Sequence, residues 1–497
     1  MASLLLWATG AISATVLGIF SLGGGAGSGA AALQKALQPS LSAGAEIYLP
    51  GSEGFARADE RWSANAKPQF AAIVGVRTEE DVRKTVLYAN ERKQPFLAIS
   101  GGHGQSAYLN GVKNGIGIWM GGMDGVEIVE GGKAAIMGGG VLNGDVILRL
   151  WEQGKQTSTT GCDCVGFIAP VLGGGHGWMS GRYGLPADQL LSARMVLGNG
   201  TAITVSDTEH PDLFWALRGA GQNFGIATEI KVKVYDREPA LDQWSATSFI
   251  YTHDKAEEVF GLMNEWIAAP DRPKELIHYA VFAFNPEVDA EKPIIILWIY
   301  YQGPTTPPQY TTPLHALNPL ASESKLTDLA GVNTHLMANK EGISCAKGYS
   351  RLFYPVSLLN YSLPGVRAVL DIFAELPPSL RGSVLMLEGY ASNRIQEIPS
   401  DSTAFPDRER EVLVSPIFTY GAGERELDGL AEGFGKRIRD AFLEGAKRKL
   451  VAYVNYARGD EGLEAVYGYE GWRLERLRGL KKKYDPEERF NFFEPIV

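Results

Sequence analysis

Two glycine-rich clusters, each with a histidine at its centre, constrain this chain more than any other feature. The first is Ile99–Gln105 (ISGGHGQ), and the second ends in Gly173–Gly177 (GGGHG). The chain has 59 glycines in 497 residues, which is about 12% against a usual ~7%, and there is no collagen period. Excess glycine belongs in turns and where a backbone approaches a ligand closely, so both clusters are candidate ligand loops.

The remaining composition is that of a folded protein, and its charge argues against one class of partner. Hydrophobic residues make up 45% of the chain and charged residues 21%, which excludes global disorder. The net charge of −10 argues against a nucleic-acid partner, and the short basic run Lys481–Lys483 fits a solvated helix face. Three cysteines, Cys162, Cys164 and Cys345, are too few for a disulfide scaffold.

The N-terminus has the pattern of a secretory signal peptide, predicted over residues 1–32. An apolar stretch, Leu4–Phe20, precedes the small residues Ala30–Ala32, as expected of a cleavage site. The basic residues that usually open a signal are missing, so a signal anchor is the alternative. The sequons at Asn199 and Asn360 are compatible with glycosylation. We therefore predict a glycoprotein that is secreted or lies in the secretory-pathway lumen.

The chain from Phe70 begins with a β-α-β unit and later changes its pattern. Phe70–Val76 and Pro95–Ile99 are predicted strands, and Thr78–Asn90 is a predicted helix with a capping threonine and acids in its first turn. After Tyr235, antiparallel strands and helices predict an α+β region. Its strands are Trp244–Tyr251, Ile277–Phe284, Ile294–Tyr301, Ser383–Gly389 and Val412–Thr419. Two more segments, Pro304–Pro313 and Leu450–Tyr456, are predicted as a surface loop and a strand.

The first glycine cluster has the chemistry of an anion-binding loop. Its consecutive glycines let several backbone N–H groups converge on an anion such as a pyrophosphate. His103 stands among residues that have no bulk to bury it. That histidine fits either a ligand-bonding role or a capping role in a turn, and the cluster alone does not decide between them.

The second cluster adds two cysteines one residue apart within Thr160–Gly166 (TGCDCVG). With nearby histidines the pair could ligate a metal, but structural zinc favours two to four intervening residues and four ligands. A disulfide between Cys162 and Cys164 would close too small a loop to be relaxed, and Cys345 has no obvious partner. The spacing therefore favours small core residues and predicts no metal site.

Taken together, these clusters and four later motifs resemble one family. The chain resembles the FAD-linked oxidases of the vanillyl-alcohol-oxidase type, specifically the berberine-bridge-enzyme-like branch and its fungal secondary-metabolism members. The likeness runs from about residue 66 to the C-terminus. The motifs are ISGGHGQ at 99–105, GCDCVGFIAPVLGGGHG at 161–177, GLPADQLLSARMVLGNG at 184–200, FWALRGAGQNFGIATEI at 214–230, YVNY at 453–456 and YDPEERFNF at 484–492.

The resemblance implies a fold of the α+β class with two parts. A PCMH-type FAD-binding domain is expected over residues 45–237, with an inserted α+β substrate-binding domain on an antiparallel sheet over 238–449. A C-terminal segment, 450–497, is expected to return to the FAD-binding domain.

The resemblance also implies how the cofactor is held. His103 looks like the histidine bonded to the flavin 8α-methyl group, and Cys162 looks like the cysteine bonded to flavin C6, which predicts a bicovalent FAD. Both side chains are nucleophiles able to add to an electrophilic flavin. Cys164 has no such counterpart and is predicted to be a packing residue. The other predicted cofactor-binding residues are Ser100, Gly101, Gly102, Gly104, Gln105, Gly161, Val165, Gly166, Gly173, Gly174, Gly225, Ile226 and Asn455.

The catalytic base is predicted among three side chains. The YVNY motif resembles a family strand that carries active-site tyrosines, here Tyr453 and Tyr456. Strand alternation would put these two on opposite faces unless a twist or bulge intervenes. Each could instead be a buried structural ring, and a free phenol with a pKa near 10 needs a neighbour that lowers it. Glu388 is a possible substitute base.

The expected activity is that of an FAD-dependent oxidase. It would transfer hydride from an alcohol or a secondary metabolite to FAD, in an alcohol oxidation or an oxidative cyclisation, and reduce O2 to H2O2. The resemblance also implies that the small Val165 favours oxygen access. The partners are then a small molecule and O2; a monomer without stable membrane association is predicted.

Three alternatives stay open at this stage. An oligosaccharide oxidase that forms a lactone would need aromatic platforms, for which Trp298 and Tyr300 are candidates. A flavin-binding fold without turnover is the second alternative. The third is a metal protein that uses both cysteines of the second cluster together with His103 and His176.

Overall fold

The computed structural model describes residues 26–497, with side chains described from residue 32. It has the α+β architecture predicted from the sequence, with three main sheets and helices packed on them. Residues 1–25 of the predicted signal peptide lie outside the described residues. Within residues 26–497, no helix is both long and apolar enough to cross a bilayer. The predicted domain limits stay predictions.

Fifteen α-helices are described between residues 26 and 497, and they are labelled in chain order. They are α1 (Ala26–Leu37), α2 (Glu53–Asp59), α3 (Glu79–Glu91), α4 (Asn143–Glu152), α5 (Ile168–Leu172), α6 (Ser180–Tyr183), α7 (Pro211–Ala220), α8 (Ala256–Ala268), α9 (Pro308–Ala316), α10 (Leu329–His335), α11 (Leu363–Ala374), α12 (Asn393–Gln396), α13 (Asp428–Ala446), α14 (Leu463–Tyr467) and α15 (Gly471–Tyr484).

The first sheet confirms the predicted β-α-β unit. Its strands are β1 (Glu46–Tyr48), β2 (Phe70–Gly75), β3 (Phe96–Ile99) and β4 (Gly115–Trp119), in the order β1-β2-β4-β3. Helix α3 connects β2 to β3, and both strands pair in parallel with β4 between them. Thr78 caps α3 in a capping box with Asp81, as its sequence predicted. The first glycine cluster therefore begins at the carboxyl end of a parallel strand.

The second sheet is antiparallel and contains a hairpin, which the turn residues Gly198-Asn199-Gly200 predict from the sequence. Its strands are β5 (Val126–Val129), β6 (Ala134–Gly138), β8 (Leu190–Val196), β9 (Ala202–Ser206) and β10 (Ile226–Lys233), in the order β5-β6-β10-β8-β9. The short strands β7 (Lys155–Gln156) and β11 (Tyr235–Asp236) pair with each other. The C-terminal helices pack here, because Leu474 and Leu477 of α15 share one core with Met195 and Ile230.

The third sheet has eight strands, and all of its pairs are antiparallel. Its strands are β12 (Trp244–Thr252), β13 (Leu276–Asn285), β14 (Asp289–Gln302), β15 (Ala321–Thr327), β16 (Tyr349–Phe353), β17 (Val356–Leu358), β18 (Val384–Gly389) and β19 (Val412–Gly421). Their order is β15-β12-β14-β13-β18-β19-β16, with β17 beside β19.

The two faces of the third sheet have different surroundings. Alternate residues such as Leu385 and Leu387 pack under helices α8, α11 and α13 in one apolar core. The residues between them, Val384, Met386 and Glu388, therefore point to the opposite face. That second face lies toward the glycine clusters, since Trp298 on it packs with Trp178, which directly follows the second cluster.

Two predicted segments differ from the structure. Pro304–Pro313 was predicted as a surface loop, but helix α9 begins at Pro308, where proline is compatible with a first helical turn. Leu450–Tyr456 was predicted as a strand, but its end is a turn in which the Tyr456 N–H donates to the Tyr453 carbonyl at 2.9 Å. The turn matters for the site, because it replaces the strand alternation assumed for the two tyrosines.

Candidate active site

The two glycine-containing loops pack directly against each other. A Cβ on Gly101 would clash with the Cys164 carbonyl, and one on Gly166 would clash with the Ser100 side chain. Gly102 has a φ of +72°, in the left-handed region that favours glycine. This close contact brings the region around His103 together with the region around Cys162.

His103 is held by aromatic stacking and stays neutral. Its ring stacks on Trp62 with a centroid distance of 5.3 Å and an interplanar angle of 20°. Burial, reinforced by the charges of Arg351 and other nearby cations, lowers the pKa of His103 to about 3. A neutral imidazole keeps a nitrogen lone pair, which is what nucleophilic attachment to a cofactor requires.

The cysteine cluster corrects two sequence expectations. Cys164 is not a simple packing residue, because it forms a disulfide with Cys345, 181 residues away. The sequence offered no local signal for this pair, since the two cysteines are 181 residues apart and meet only in the folded chain. The disulfide also removes both sulfurs from any thiolate metal-ligand set. Cys162 stays a free thiol, with its Sγ 3.6 Å from that of Cys164.

The Cys162 thiol is half-buried and protonated. Burial raises the pKa of Cys162 to about 12, and the charge of Asp163 adds to the effect. The thiolate is the nucleophile in cysteine chemistry. Any bond from this sulfur therefore requires a proton to leave as the bond forms.

The second glycine cluster positions another buried histidine. A Cβ on Gly177 would clash with the Thr159 carbonyl, and Gly174 has a φ of +110°. The His176 Nδ1 accepts a hydrogen bond of 2.8 Å from the Arg410 guanidinium, so the ring proton is on Nε2. Burial, followed by the charge of Arg410, holds the pKa of His176 well below 6.5.

Buried polar atoms without hydrogen-bond partners concentrate at these loops. Within the described part of the chain they include Ser100 Oγ, His103 Nε2, Thr159 Oγ1, Thr160 Oγ1 and His176 Nε2. Leaving such groups unpaired costs about 1–3 kcal/mol each. A ligand with polar atoms along its length would pair them, and the pyrophosphate, ribityl chain and ring of FAD present such atoms. The donor set therefore fits FAD.

The C-terminal turn brings both predicted tyrosines to the same side. The rings of Tyr453 and Tyr456 lie 5.1 Å apart. The Tyr453 hydroxyl accepts hydrogen bonds from the Gly175 N–H at 3.0 Å and from the Asn455 amide at 2.6 Å. The Gln105 amide donates to the Tyr456 carbonyl at 2.7 Å, so this predicted cofactor-binding residue anchors the turn.

Glu388 lies at the centre of the phenol cluster. Its carboxylate accepts hydrogen bonds from Tyr390 and Tyr456. Burial raises the pKa of Glu388 to about 7, while it raises the pKa of Tyr456 well above 10. Glu388 is therefore the member of this cluster that changes charge near neutral pH. Its second oxygen, Oε1, is buried without a hydrogen-bond partner among the described residues.

The other predicted residues fall into two groups. Gly161 packs on the Tyr390 hydroxyl, and the Gly104 carbonyl accepts a hydrogen bond of 2.9 Å from the Arg61 guanidinium, so both lie at the clustered loops. The half-buried Val165 lies there too, next to Gly101. Gly225 and Ile226 lie instead beside β8, where Ile226 pairs with Val196, and their cofactor role stays a prediction.

Sequence reasoning missed several residues of the site. Trp62, Arg351, Tyr390 and Arg410 all contact predicted site residues, and each is 8% exposed or less. Trp62 and Arg351 stand outside the quoted motifs, so only tertiary structure places them here. Tyr390 and Arg410 also lie outside those motifs.

Two family models match the chain. One is described as an FAD binding domain and covers residues 70–206, and the other, described as berberine and berberine like, covers residues 452–496. Both glycine clusters fall within the first match, and the Tyr453–Tyr456 turn falls within the second.

Fungal relatives match nearly the whole chain. FAD-linked oxidoreductase chry5 of Gibberella zeae is 37% identical over 93% of this chain and 94% of its own length. FAD-linked oxidoreductase chyH of Penicillium rubens is also 37% identical, over 93% of each chain.

Solved structures at lower identity share the fold. Physcomitrella patens BBE-like 1 has a TM-score of 0.79 at 22% identity, covering 94% of this chain and 99% of that one. Xylooligosaccharide oxidase from Myceliophthora thermophila has a TM-score of 0.79 at 23% identity, with the same coverage. Glucooligosaccharide oxidase from Acremonium strictum has a TM-score of 0.77 at 22% identity, covering 93% and 99%. The chain thus belongs to the berberine-bridge-enzyme-like family of FAD-linked oxidoreductases.

Proposed function

We propose that this protein is an oxidase that removes a hydride from an alcohol or another oxidisable carbon of a secondary metabolite. Bound FAD would accept the hydride and pass the two electrons to O2, giving H2O2. The observation that carries the proposal is the buried Glu388 carboxylate, which is hydrogen-bonded to Tyr456. It accompanies the two glycine-containing loops, where several buried polar atoms have no hydrogen-bond partner among the described residues. Ionisable groups with strongly shifted pKa values concentrate at functional sites, and Glu388 also lies beside the tyrosines of the C-terminal turn.

Two residues would hold the cofactor covalently. His103 and Cys162 stand on the two packed glycine loops, one with a free imidazole nitrogen and the other with a free thiol. The Acremonium strictum glucooligosaccharide oxidase is described with a 6-S-cysteinyl, 8α-N1-histidyl FAD. The matching residue types support the same bicovalent attachment here.

The substrate proton would leave through Glu388 and Tyr456. Above a pH of about 7 the Glu388 carboxylate is charged and can accept a proton from the Tyr456 hydroxyl, which in turn takes the substrate hydroxyl proton. General-base catalysis of this kind contributes typically ~10²–10⁴-fold to a rate. Arg410, which lies near the carboxylate, favours its charged form.

The oligosaccharide-oxidase alternative has less support from the site. Its candidate sugar platforms, Trp298 and Tyr300, are 6% and 0% exposed and pack on Trp178. They are therefore core residues. Flavin that is bound but never reduced by any compound of a broad substrate panel would favour a flavin-binding protein without turnover.

We also propose that the protein matures in the secretory pathway as a monomer. The Cys164–Cys345 disulfide persists best in an oxidising compartment. Both sequon asparagines, Asn199 and Asn360, are exposed. Treatment with a peptide N-glycosidase should lower the mass of the secreted protein.

The direct test is cofactor retention together with peroxide formation. The purified protein should be yellow, and trichloroacetic acid should not extract its flavin. Alanine at His103 or at Cys162 should leave one bond, whereas alanine at both should release the flavin; His315→Ala, at an exposed histidine, is the control. H2O2 should form one for one with product. Complete release by either single change would refute the double attachment, and the absence of peroxide across a broad alcohol panel would refute the oxidase.

A further inference from the structure

On the site-facing side of the third sheet, protein covers one half closely and leaves the other half, here called the open half, only partly covered. On strands β12, β13 and β14, the side chains of Trp244, Trp298 and Tyr300 pack against Trp178 and helix α10. This half is closed core. The other half, on strands β13, β18, β19 and β16, faces the glycine loops.

The open half is built from apolar side chains in two adjacent rows. In one row Val281 pairs with Met386, and in the next Val384 pairs with Ile417, which pairs with Phe353. Val281, Val384 and Met386 are only half-buried, although β13 and β18 lie in the interior of the sheet. We call these five residues the apolar patch.

Two polar side chains lie next to the apolar patch on the site-facing side of β18 and β19. Each has a buried oxygen without a hydrogen-bond partner among the described residues. Ser415 is directly opposite Met386, and its Oγ is buried without a partner among the described residues. Glu388 follows Met386 by two residues on β18, and its Oε1 is also buried without a hydrogen-bond partner among the described residues. On β18 and β19 the patch is thus bordered by one unpaired hydroxyl and one carboxylate, whereas the Tyr279 hydroxyl of β13 already donates to the Met386 Sδ at 3.1 Å.

The aromatic edge of the patch presents no ring face for a sugar. Phe353 stacks with Trp62 at 5.4 Å and with Tyr456 at 4.9 Å. Phe353 is 7% exposed and Trp62 is 6% exposed. Their faces are used in stacking with protein rings, so they act as a wall and not as an open platform.

From this arrangement we infer the substrate class: a largely apolar molecule with one reacting hydroxyl. The inference rests on the proposed oxidase function. The apolar patch would bind the carbon skeleton, Ser415 would hydrogen-bond one further polar group, and the reacting hydroxyl would lie at Glu388 and Tyr456. An oligosaccharide carries a hydroxyl on most carbons, and each one buried here would lose its water without gaining a partner.

The test uses the holoenzyme and a panel of probes. Apolar alcohols (1-naphthalenemethanol, benzyl alcohol and farnesol) are compared with cellobiose and xylobiose. Binding is followed by perturbation of the flavin absorption spectrum, and oxidation by anaerobic bleaching. At least one apolar alcohol should bind at least tenfold more tightly than either sugar.

Variants then locate the binding site. Met386→Gln should raise the Kd of the bound alcohol at least tenfold, whereas Met386→Leu should not. Leu326→Gln, at a residue of β15 that is 58% exposed, is the control, and flavin content and thermal stability report folding. Tighter binding of a sugar, an unchanged Kd in Met386→Gln, or no binding by any apolar alcohol would overturn the inference. Binding that depends on Met386 without bleaching would instead uphold the binding class and count against the proposed oxidase.

Discussion

At the scale of single residues, burial assigns the titrating role to Glu388 and not to a tyrosine. The phenols of Tyr453 and Tyr456 are also buried, but burial raises the pKa of each above its ordinary value of 10. Burial raises the pKa of Glu388 as well, yet only to about 7. The sequence named all three residues as candidates, but it could not rank them because desolvation depends on tertiary neighbours.

This ranking gives a pH prediction. A base acts in its deprotonated form, so the rate of anaerobic flavin reduction should rise as the pH increases through about 7, the pKa of Glu388. Glu388→Gln should lower the rate reached at high pH by about 100-fold. It should also remove the rising limb, that is, the increase of the rate with pH. Stopped-flow absorbance measures both, with Glu127→Gln, at an exposed position, as the control. A limb that persists in the glutamine variant would exclude Glu388 as the titrating group.

At the scale of elements, the Tyr453–Tyr456 segment shows a tertiary contact overriding a local pattern. Its alternation favours a strand, but Gln105 binds the carbonyls of Tyr456 and Ala457, and Gly175 donates to Tyr453. These contacts fix a turn. The turn therefore brings both tyrosines to one side, which strand alternation would have required a β-bulge to do. The two phenols have different partners: Tyr453 accepts from Gly175, and Tyr456 is hydrogen-bonded to Glu388.

The two tyrosines should accordingly respond differently to loss of the hydroxyl. Tyr456→Phe removes a hydrogen bond to Glu388 and should slow flavin reduction by at least ~100-fold, with little change in stability. Tyr453→Phe leaves the Gly175 N–H without its acceptor, and the Asn455 amide keeps only its bond to the Pro170 carbonyl. The change should therefore destabilise the fold by about 1–3 kcal/mol. Stopped-flow reduction and urea unfolding measure the two effects, and a reversed pattern would assign the proton transfer to Tyr453.

The disulfide between Cys164 and Cys345 links the loop of the second glycine cluster to the segment just before β16. Closing a long loop in this way typically stabilises a fold by about 2–4 kcal/mol. The double variant Cys164→Ser, Cys345→Ser should therefore unfold at lower urea concentration, and it leaves no extra thiol beside Cys162. Attachment through His103 should survive in it. An unchanged urea midpoint would show that the link contributes nothing to stability.

At the scale of the whole molecule, the sequence predicted the parts of the fold that have strong local signals. The β2-α3-β3 unit followed from the Thr78 cap and its apolar face, and the β8–β9 hairpin followed from the turn at Gly198–Gly200. Strand β15 was missed because its sequence, ASESKLT, is polar for an edge strand of a large sheet. The Cys345 pairing and the Trp62 contact depend on distant segments, so no local pattern could reveal them.

The C-terminal tail closes the molecule by burying an acid against the first glycine cluster. Glu494 is 4% exposed and accepts a hydrogen bond of 2.8 Å from the Ser106 hydroxyl. Burial, reinforced by the charges of Glu461 and Asp460, raises the pKa of Glu494 from 4.5 to about 8. The tail therefore carries a proton in the folded protein at neutral pH.

This proton makes the stability of the fold depend on pH. Between about pH 4.5 and pH 8 the folded state keeps the Glu494 proton, whereas the unfolded state releases it. The unfolded state then binds fewer protons, so the free energy of unfolding falls as the pH rises across that range and levels off above it. Glu494→Gln keeps the shape of the side chain without its charge. The free energy of unfolding of this variant, relative to that of the wild type, should therefore increase by about 1–3 kcal/mol between pH 5 and pH 9. Urea unfolding of both proteins at several pH values isolates this group, because every other ionisable residue is common to the pair. A difference that does not change with pH would mean that Glu494 titrates alike in the folded and unfolded chains, and the tail would then be held by packing and not by a retained proton.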